Sequence, residues 1–477
     1  VEPITEPGWT QDEDVLDTWF SSALWPFAVL GWPDNLEKQF YPTSVLITGR
    51  DILNLWVSRM ILTSLHFVED EIPFHDVFVH PTVQDVFGLR MSKSLGTGID
   101  PMELIEIYGA DATRFGLLQL ATGAQDVRFI DQAEVVLGET EVRRRLRDKK
   151  PLNLSWDGKP VDRYPQMQSA RNFANKIWNA ARFVMSSANT ESTTEFASID
   201  PASLDLASRW ILSRLDATTE TVTQKLDAYE FEGAASALYG FIWGDFCDWF
   251  VELSKPKLRA GDAAHIALLT HVLETTMRLL HPFMPFLSED IWQRLPHAKN
   301  SDSLCVATWP AQTGARDEKA EADFALLQEA IRTARNLRAE AKLAPSKKLN
   351  MTFISLNENA ARVLHSGSAY LTQLANLEAV SIVNGDAPRP GNSLSTALPE
   401  VEIFLPLEGL IDVERETARI QKELDEKSKD LARINGKLSN AGFTAKAPPE
   451  VIAKEEAKRA ELTAALAKLN ARLAEMK

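Results

Sequence analysis

One lysine between two serines is the sharpest chemical signal in the chain. The stretch Leu89-Arg90-Met91-Ser92-Lys93-Ser94-Leu95-Gly96 gathers cationic side chains, hydroxyls and a glycine into one turn. A lysine ammonium on such a loop can oppose a phosphate chain as negative charge builds on it during transfer. Serine hydroxyls and free backbone N–H groups add donors for phosphate oxygens. Alone, Ser-Lys-Ser reads as a solvated surface loop, so the flanking elements decide. An apolar run from Val77 to Val79 leads in as a strand. Asp100-Pro101-Met102-Glu103 leads out as a helix start, with Asp100 the N-cap, Pro101 the first helical residue and Glu103 completing a capping box.

The elements needed to position that loop are those of an α/β sheet. Ser44-Val45-Leu46-Ile47 suits a buried parallel strand, and Thr48-Gly49 turns it into a helix expected from about Asp51 to Leu65. A second strand covers Asp76 to His80, and Ala110-Asp111-Ala112 opens a further helix. Strand–loop–helix units build doubly wound sheets whose ligands sit at the carboxyl ends of the strands. Asp51 and the lysine loop both fall at such ends.

Beyond Phe129 the character changes. Residues 135–165 read as irregular and polar, with a basic cluster at Arg143, Arg144, Arg145 and Arg147 that suits a charged connector better than a nucleic-acid patch. From Gln168 to Leu295 the periodicity is helical throughout, which predicts a bundle. A helix near 324–344 and alternating runs at 350–354 and 401–405 predict a smaller α/β unit. Finally Leu410, Val413, Thr417, Ile420, Leu424, Lys427, Leu431, Ile434 and Leu438 step by threes and fours. After a break at Asn440-Ala441-Gly442, a second seam runs from Ile452 to Met476. Such heptads with one short break predict two antiparallel helices in a coiled coil, loosened near the turn where Glu455 and Arg459 occupy seam positions. The expected fold class is therefore multidomain α/β plus all-α. Its divisions are 1–133, 134–167 (a polar connection), 168–312, 313–406 and 407–477.

Size and composition bound the rest. A chain of 477 residues holds three or more domains at roughly 100–200 residues each. Only Cys247 and Cys305 occur, with no Cys/His spacing for zinc or a disulfide framework, so a reducing, cytoplasmic setting is expected. Val1-Glu2-Pro3 begins no secretory signal, and no apolar run is long enough to span a bilayer. A net charge of −16 argues against indiscriminate nucleic-acid binding, yet leaves room for a local basic groove.

Three blocks together resemble the class I aminoacyl-tRNA synthetases, and within them the valyl family. They are Asp14-Val15-Leu16-Asp17-Thr18-Trp19-Phe20-Ser21-Ser22, Thr48-Gly49-Arg50-Asp51-Ile52 with Trp56, and Arg90-Met91-Ser92-Lys93-Ser94. The helix Arg171-Asn172-Phe173-Ala174-Asn175-Lys176-Ile177-Trp178-Asn179-Ala180-Ala181-Arg182-Phe183 resembles the start of that family's anticodon-binding bundle. The terminal heptads, with Phe443 and Lys446-Ala447-Pro448 in the turn, resemble its tRNA-binding arm. The resemblance implies the second part of a Rossmann-like catalytic domain, an anticodon bundle, the small α/β unit and the coiled coil.

The implied activity is ligation of valine to tRNA(Val), by a monomer, using ATP with Mg2+ and passing through valyl-adenylate. Lys93 would be catalytic, and Arg90, Met91, Ser92, Lys93 and Ser94 would bind ATP. Arg90 stands where the family usually has lysine, a planar fork in place of a point donor. Asp51 would hold the substrate ammonium, and Trp19, Ile52 and Trp56 would wall the valine side chain. Arg171, Asn175, Lys176, Asn179, Arg182 and Phe183 would meet tRNA. The residues by themselves leave alternatives: Trp19 and Trp56 as core, Asp51 as a helix cap, Arg171, Lys176 and Arg182 as a solvated helix face. The family's His-x-Gly-His signature is absent, since no histidine of the chain sits in that pattern. The expectation is therefore a carboxyl-terminal portion without the editing domain, inactive alone. A non-enzymatic tRNA-binding protein, an isoleucyl or leucyl relative and a coiled-coil scaffold are the competing readings.

Overall fold

In the computed structural model of the chain, residues 7–10, 12–68, 71–91, 98–121, 123, 125–148, 155–156, 159–160, 163–187, 196–295, 301–344, 346–407, 413–439 and 449–475 are described. Helix α1, Thr18–Ala28, starts because the Asp17 carboxylate accepts from Trp19 N at 2.8 Å. It buries Phe27 against Tyr41 and Val68. Strand β1, Thr43–Gly49, is followed by α2, Ser58–Phe67, and β2, Phe74–His80, which pairs parallel with β1 so that Gly49 lies opposite His80. The expected helix from Asp51 begins late. Residues Arg50–Ile52 form a tight turn and Leu53–Val57 a wide one, closed by Ser58 N on Leu53 O. The extra residue of that turn lets Val57, Met60 and Phe74 close into one cluster with Leu46 and Trp56.

Next come β3 (Val83–Gln84), α3 (Pro101–Tyr108), α4 (Ala110–Leu120) and β4 (Val127–Arg128), the last parallel to β3. Asp100 caps α3 as expected, accepting from Met102 N at 2.9 Å. Glu103 does not return to complete the box; it takes Arg163 at 3.4 Å instead. Nor is the stretch after residue 134 irregular. Its polar residues form α5 (Gln132–Leu137) and α6 (Glu139–Arg147), then a short hairpin of β5 (Ser155–Trp156) and β6 (Lys159–Pro160). Carboxylates one turn away make α6 viable: Arg143 bonds Glu139 and Arg145 bonds Glu141.

The bundle follows as α7 (Pro165–Ser187), α8 (Leu206–Asp227), α9 (Phe231–Tyr239), a wide-turned helical stretch Gly240–Phe250, α10 (Val251–Arg259), α11 (Ala263–Leu280) and α12 (Pro285–Arg294). Phe173, Ile177, Ala181 and Val184 give α7 its buried stripe, and Phe173 meets Phe115 of α4 at 5.0 Å.

The smaller α/β part contains α13 (Glu318–Glu340), β7 (Leu349–Ser355), α14 (Glu358–Ser366), α15 (Ser368–Leu374), β8 (Leu377–Asn384), β9 (Ser393–Ala397) and β10 (Val401–Pro406). Its sheet runs β8-β7-β10-β9, with β7–β8 parallel and β10 antiparallel to both neighbours. Helices α16 (Val413–Leu438) and α17 (Pro449–Glu475) pair through Ile420, Leu424 and Ile434 of α16. Lys437, late in α16, reaches Glu455, early in α17, at 2.8 Å, so the two run antiparallel and the seam carboxylate is matched.

By compactness the chain divides into Val1–Ser192 with Ala217–Cys247 and Leu269–Thr313, and Thr193–Asp216 with Asp248–Leu268 and Gly314–Lys477. Among the described residues no helix is long and apolar enough to cross a membrane.

Candidate functional site

The carboxyl ends of β1 and β2 set the site. Gly49 ends β1 opposite His80, and a Cβ on it would lie 2.8 Å from the Asp51 carboxylate, so a side chain there would displace Asp51. Asp51 is exposed on the tight turn just beyond. Its Oδ2 accepts from Arg90 Nη1 at 3.0 Å. Two sequence blocks thirty-nine residues apart thus meet, one carrying an expected ammonium ligand and the other an expected phosphate ligand.

Two residues that the sequence reading overlooked hold this arrangement. Asp85 is buried, and its Oδ1 accepts from Phe87 N at 3.0 Å and Leu89 N at 2.8 Å. Gly88 N closes the turn on Asp85 O, Gly88 takes φ +82°, and Gln84 bridges Arg90 across it. The signal was readable: Asp at the first and Gly at the fourth position mark a β-turn. The turn fixes the backbone that enters the lysine loop. Asp126 carries no such signal. Its carboxylate takes Arg50, Thr82 N at 3.2 Å and Gln84 Nε2 at 2.8 Å, tying the turn after β1 to β3. Partial desolvation pushes Asp126 up, but the bonds from Arg50 and Thr82 outweigh it and hold the carboxyl below its ordinary range. Behind the turn, burial and the neighbouring Asp131 charge raise the Glu134 carboxyl, whose oxygen lies 3.5 Å from Val86 N.

Of the expected phosphate ligands, Arg90 and Met91 stand at the exit of this turn; Ser92, Lys93 and Ser94 lie outside the described residues. Of the expected valine ligands, Trp56 is half-buried on the wide turn and donates Nε1–H to Ser22 O at 3.2 Å. Trp19 is exposed at the start of α1, with the Arg59 guanidinium 5.0 Å over its ring. Arg59 and Trp56 therefore join the Trp19 block to the Asp51 block. Ile52 is half-buried between Asp51 and that wide turn. Single wide turns inside helices recur at functional sites.

The expected tRNA ligands separate into two kinds. Arg171, Asn175, Asn179 and Arg182 are exposed and recur at four-, four- and three-residue steps, forming one polar stripe on α7. Arg171 also donates to Ile107 O at 2.9 Å. Lys176 and Phe183 are half-buried off the stripe, and Lys176 Nζ lies 3.7 Å from the centre of the Trp243 ring. No group of three His, Cys, Asp or Glu side chains able to hold a metal ion occurs among the described residues.

Known proteins match the chain nearly end to end. Residues 5–130 match the tRNA synthetases class I (I, L, M and V), 208–353 the anticodon-binding domain of tRNA ligase, and 412–477 the valyl tRNA synthetase tRNA binding arm. Valine–tRNA ligase of Carboxydothermus hydrogenoformans is 43% identical over 455 residues, 94% of this chain and 47% of its own length. That of Bacillus subtilis strain 168 is 40% identical over 483 residues, 100% of this chain and 50% of its own. The chain thus spans about half the length of the curated relatives it matches. Among solved structures, the Agrobacterium radiobacter K84 LeuRS–tRNA–LeuAMS complex gives a TM-score of 0.46 at 20% identity, covering 72% of this chain and 36% of that one. Mycobacterium tuberculosis methionyl-tRNA synthetase with methionyl-adenylate gives 0.41 at 23%, covering 58% and 50%. Likeness at that level carries no fold assignment.

Proposed function

The chain carries the domains of a class I tRNA synthetase of the valyl family, and from that premise we propose that it supplies part of a valine–tRNA ligase. The reaction joins ATP, L-valine and tRNA(Val) into valyl-tRNA, AMP and diphosphate. A carboxylate oxygen of valine attacks the α-phosphorus of ATP, and diphosphate leaves with the electron pair of the broken P–O bond. The ribose hydroxyl at the tRNA end then attacks the valyl carbonyl and releases AMP. Lys93, assisted by Arg90, opposes the charge that grows on the phosphates. Met91, Ser92 and Ser94 complete the phosphate cradle. Asp51 takes the valine ammonium, and Trp19, Ile52 and Trp56 enclose the branched side chain. Such an apolar enclosure discriminates only about a hundredfold against the isosteric hydroxyl of threonine. Magnesium would arrive with the nucleotide.

The observation that carries this reading is the Arg90–Asp51 contact at 3.0 Å, which joins the phosphate block to the ammonium block at one strand end. The site is a half-site. The 477 residues hold no His-x-Gly-His, and β1–β2 is a parallel pair with Ile47 58% exposed. Parallel strands are ordinarily buried on both faces, so this pair suits a larger sheet. The stripe on α7 and the α16–α17 pair, read as a coiled-coil arm, would serve tRNA, in the cytoplasm.

Valine-dependent ATP–pyrophosphate exchange tests the proposal. The chain alone should show none, and fusing ahead of Val1 the part of the Bacillus subtilis relative that this chain does not span should restore it. Robust exchange by the chain alone would overturn the half-site. A silent fusion that also fails to bind a valyl-adenylate analogue would overturn adenylation and favour a non-enzymatic tRNA-binding role.

A further inference from the structure

The chain between Gln132 and Arg163 leaves and re-enters at a closed neck. Gln132 N donates to Arg163 O at 2.9 Å, and Gln166 Nε2 donates to Ile130 O at 3.0 Å. In sequence Arg163 falls in a polar connection, where a cation needs no partner. In the structure it is half-buried and engaged on three sides. Its Nε donates to Asp131 Oδ2 at 2.7 Å, its Nη1 to Glu103 Oε1 at 3.4 Å, and its guanidinium lies 5.0 Å over the ring of Tyr164. Asp131 is buried, and a buried carboxylate is tolerated only when paired in this way.

These contacts reach both flanks of the lysine loop. On the exit side, Glu103 lies in the first turn of α3, and Tyr108 is the last residue of that helix. Tyr164 is buried and meets Tyr108 at 6.4 Å between ring centres, so consecutive residues of the neck hold α3 at its two ends. On the entry side, β4 pairs with β3, and Phe129 N donates to Gln84 O at 2.8 Å, one residue before the turn that starts at Asp85. Tyr164 meets Phe129 as well, at 5.5 Å. From α5, the buried Glu134 places an oxygen 3.5 Å from Val86 N inside that turn. Burial raises the Glu134 carboxyl most and the charges of Asp131 and Asp85 raise it further, while the Val86 N–H and the Arg163 charge oppose them.

We infer that Arg163 is a positioning residue for ATP: by spanning Asp131 and Glu103 it fixes the turn that enters the lysine loop relative to the helix that leaves it, and so where Arg90 stands. The inference rests on the proposed adenylation and deepens it, because Arg163 acts through Asp131 and Glu103 rather than on substrate. A buried ion pair contributes little stability over apolar packing of the same volume, but it can fix one arrangement among several. A guanidinium suits that use, since its planar fork presents donors in set directions to two carboxylates at once. Catalytic geometry is sensitive to such supports: a shift of about 1 Å at a reacting group can cost about a hundredfold in rate.

The test is valine-dependent ATP–pyrophosphate exchange by the fusion described above, with ATP and valine varied in turn. Glu103→Ala frees the exit helix while Arg163 still pairs with buried Asp131, and should lower kcat/KM for ATP about fivefold. Arg163→Lys keeps a charge for Asp131 but loses the fork, and should do the same. The double variant should lose no more than either single, because both remove one bridge. In each, KM for valine at saturating ATP should hold within about twofold. The denaturation midpoint of Glu103→Ala should barely move, since the Arg163–Glu103 pair is half-exposed. In the chain without the fusion, amide exchange over 101–108 should quicken about twofold to fivefold in Glu103→Ala, and unchanged exchange there would overturn the inference. Wild-type kcat/KM for ATP in both single variants, equal losses for ATP and valine, or losses that multiply to about twenty-fivefold in the double would each overturn it too and leave adenylation standing. A parent fusion without exchange overturns adenylation and the inference together.

Discussion

Two of the parallel strand pairs, β7–β8 and β1–β2, differ in how far other strands extend them. In the smaller α/β part, β7 and β8 are extended by β10 and β9, and Phe353 and Ile403 have no exposure to solvent. At the other end of the sequence, β1 and β2 pair only with each other among the described residues, and Ile47 on β1 and Leu62 on α2 remain 58% and 67% exposed. The β1–β2 pair ends in Gly49 and His80, with Asp51 on the turn just beyond. Burial and candidate chemistry are thus segregated: the four-stranded sheet has a buried core, and the candidate site lies beside the two-stranded pair.

The contrast breaks most sharply in the core. Phe353→Ala should cost about 3–5 kcal/mol by loss of transfer energy plus the cavity it leaves. Ile47→Ser should cost at most about 1 kcal/mol, because more than half of the residue is exposed. Urea denaturation of both variants measures the difference. A cost for Ile47→Ser comparable with that of Phe353→Ala would mean that the β1 face is covered in solution, and the contrast would vanish.

Chemistry should show the opposite distribution. In the fusion that restores exchange, Lys93→Ala should slow adenylate formation by about 10²–10³-fold, the usual loss for one donor aimed at developing charge. The Kd for tRNA should move less than about threefold. Equal losses in exchange and RNA affinity would make Lys93 a structural residue.

A third distinction is electrostatic. His265, buried in the α10–α11 region, has its pKa lowered to about 4, first by desolvation and second by the Lys257 charge. Ser254 donates to Phe250 O, so it accepts from His265 Nε2–H at 2.8 Å, which selects the Nε2–H tautomer of the neutral ring. Above the unfolded value of about 6.5 both states are neutral and the ring costs nothing. As pH falls from 6.5 towards 4 the unfolded chain takes up a proton that the folded chain refuses, so stability is lost across that window. The loss approaches about 3 kcal/mol near pH 4. Denaturant midpoints at pH 7 and pH 4.5 should therefore converge in His265→Leu relative to the wild type. An identical pH response in the two proteins would show the ring to be protonated in the fold.

What the sequence disclosed follows the range of the forces involved. Periodicity and caps are local, so α7, the Asp100 cap and the heptads of α16 were legible. Placement of Asp51 just beyond a strand end was legible because short apolar runs mark parallel strands, whereas Ser92, Lys93 and Ser94 lie outside the described residues. The wide turn at Leu53–Val57 was not, since an added residue in a helix leaves no composition signal. Asp126 was equally hidden, because its three partners come from two distant segments. The stretch after Glu134 reads as irregular in sequence, yet its longer helix, α6, is supported by ion pairs between neighbouring turns.

The smallest expected effect on stability falls on the residue pair that anchors the functional reading. Arg90 and Asp51 are 73% and 53% exposed, and an ion pair that open is worth at most about 1 kcal/mol. Asp51→Asn should therefore leave the denaturation midpoint almost unmoved. The same change should abolish valine binding to the fusion, because the amide offers no charge to the substrate ammonium. Arg90→Gln divides the two roles further. If Arg90 only shields Asp51, removing it frees the carboxylate and valine should bind at least as tightly. If Arg90 binds phosphate, ATP affinity should fall while valine affinity holds. Calorimetric titration of the Arg90→Gln fusion with each substrate separates these outcomes, and loss of valine affinity alone would show that the Asp51–Arg90 contact positions the carboxylate.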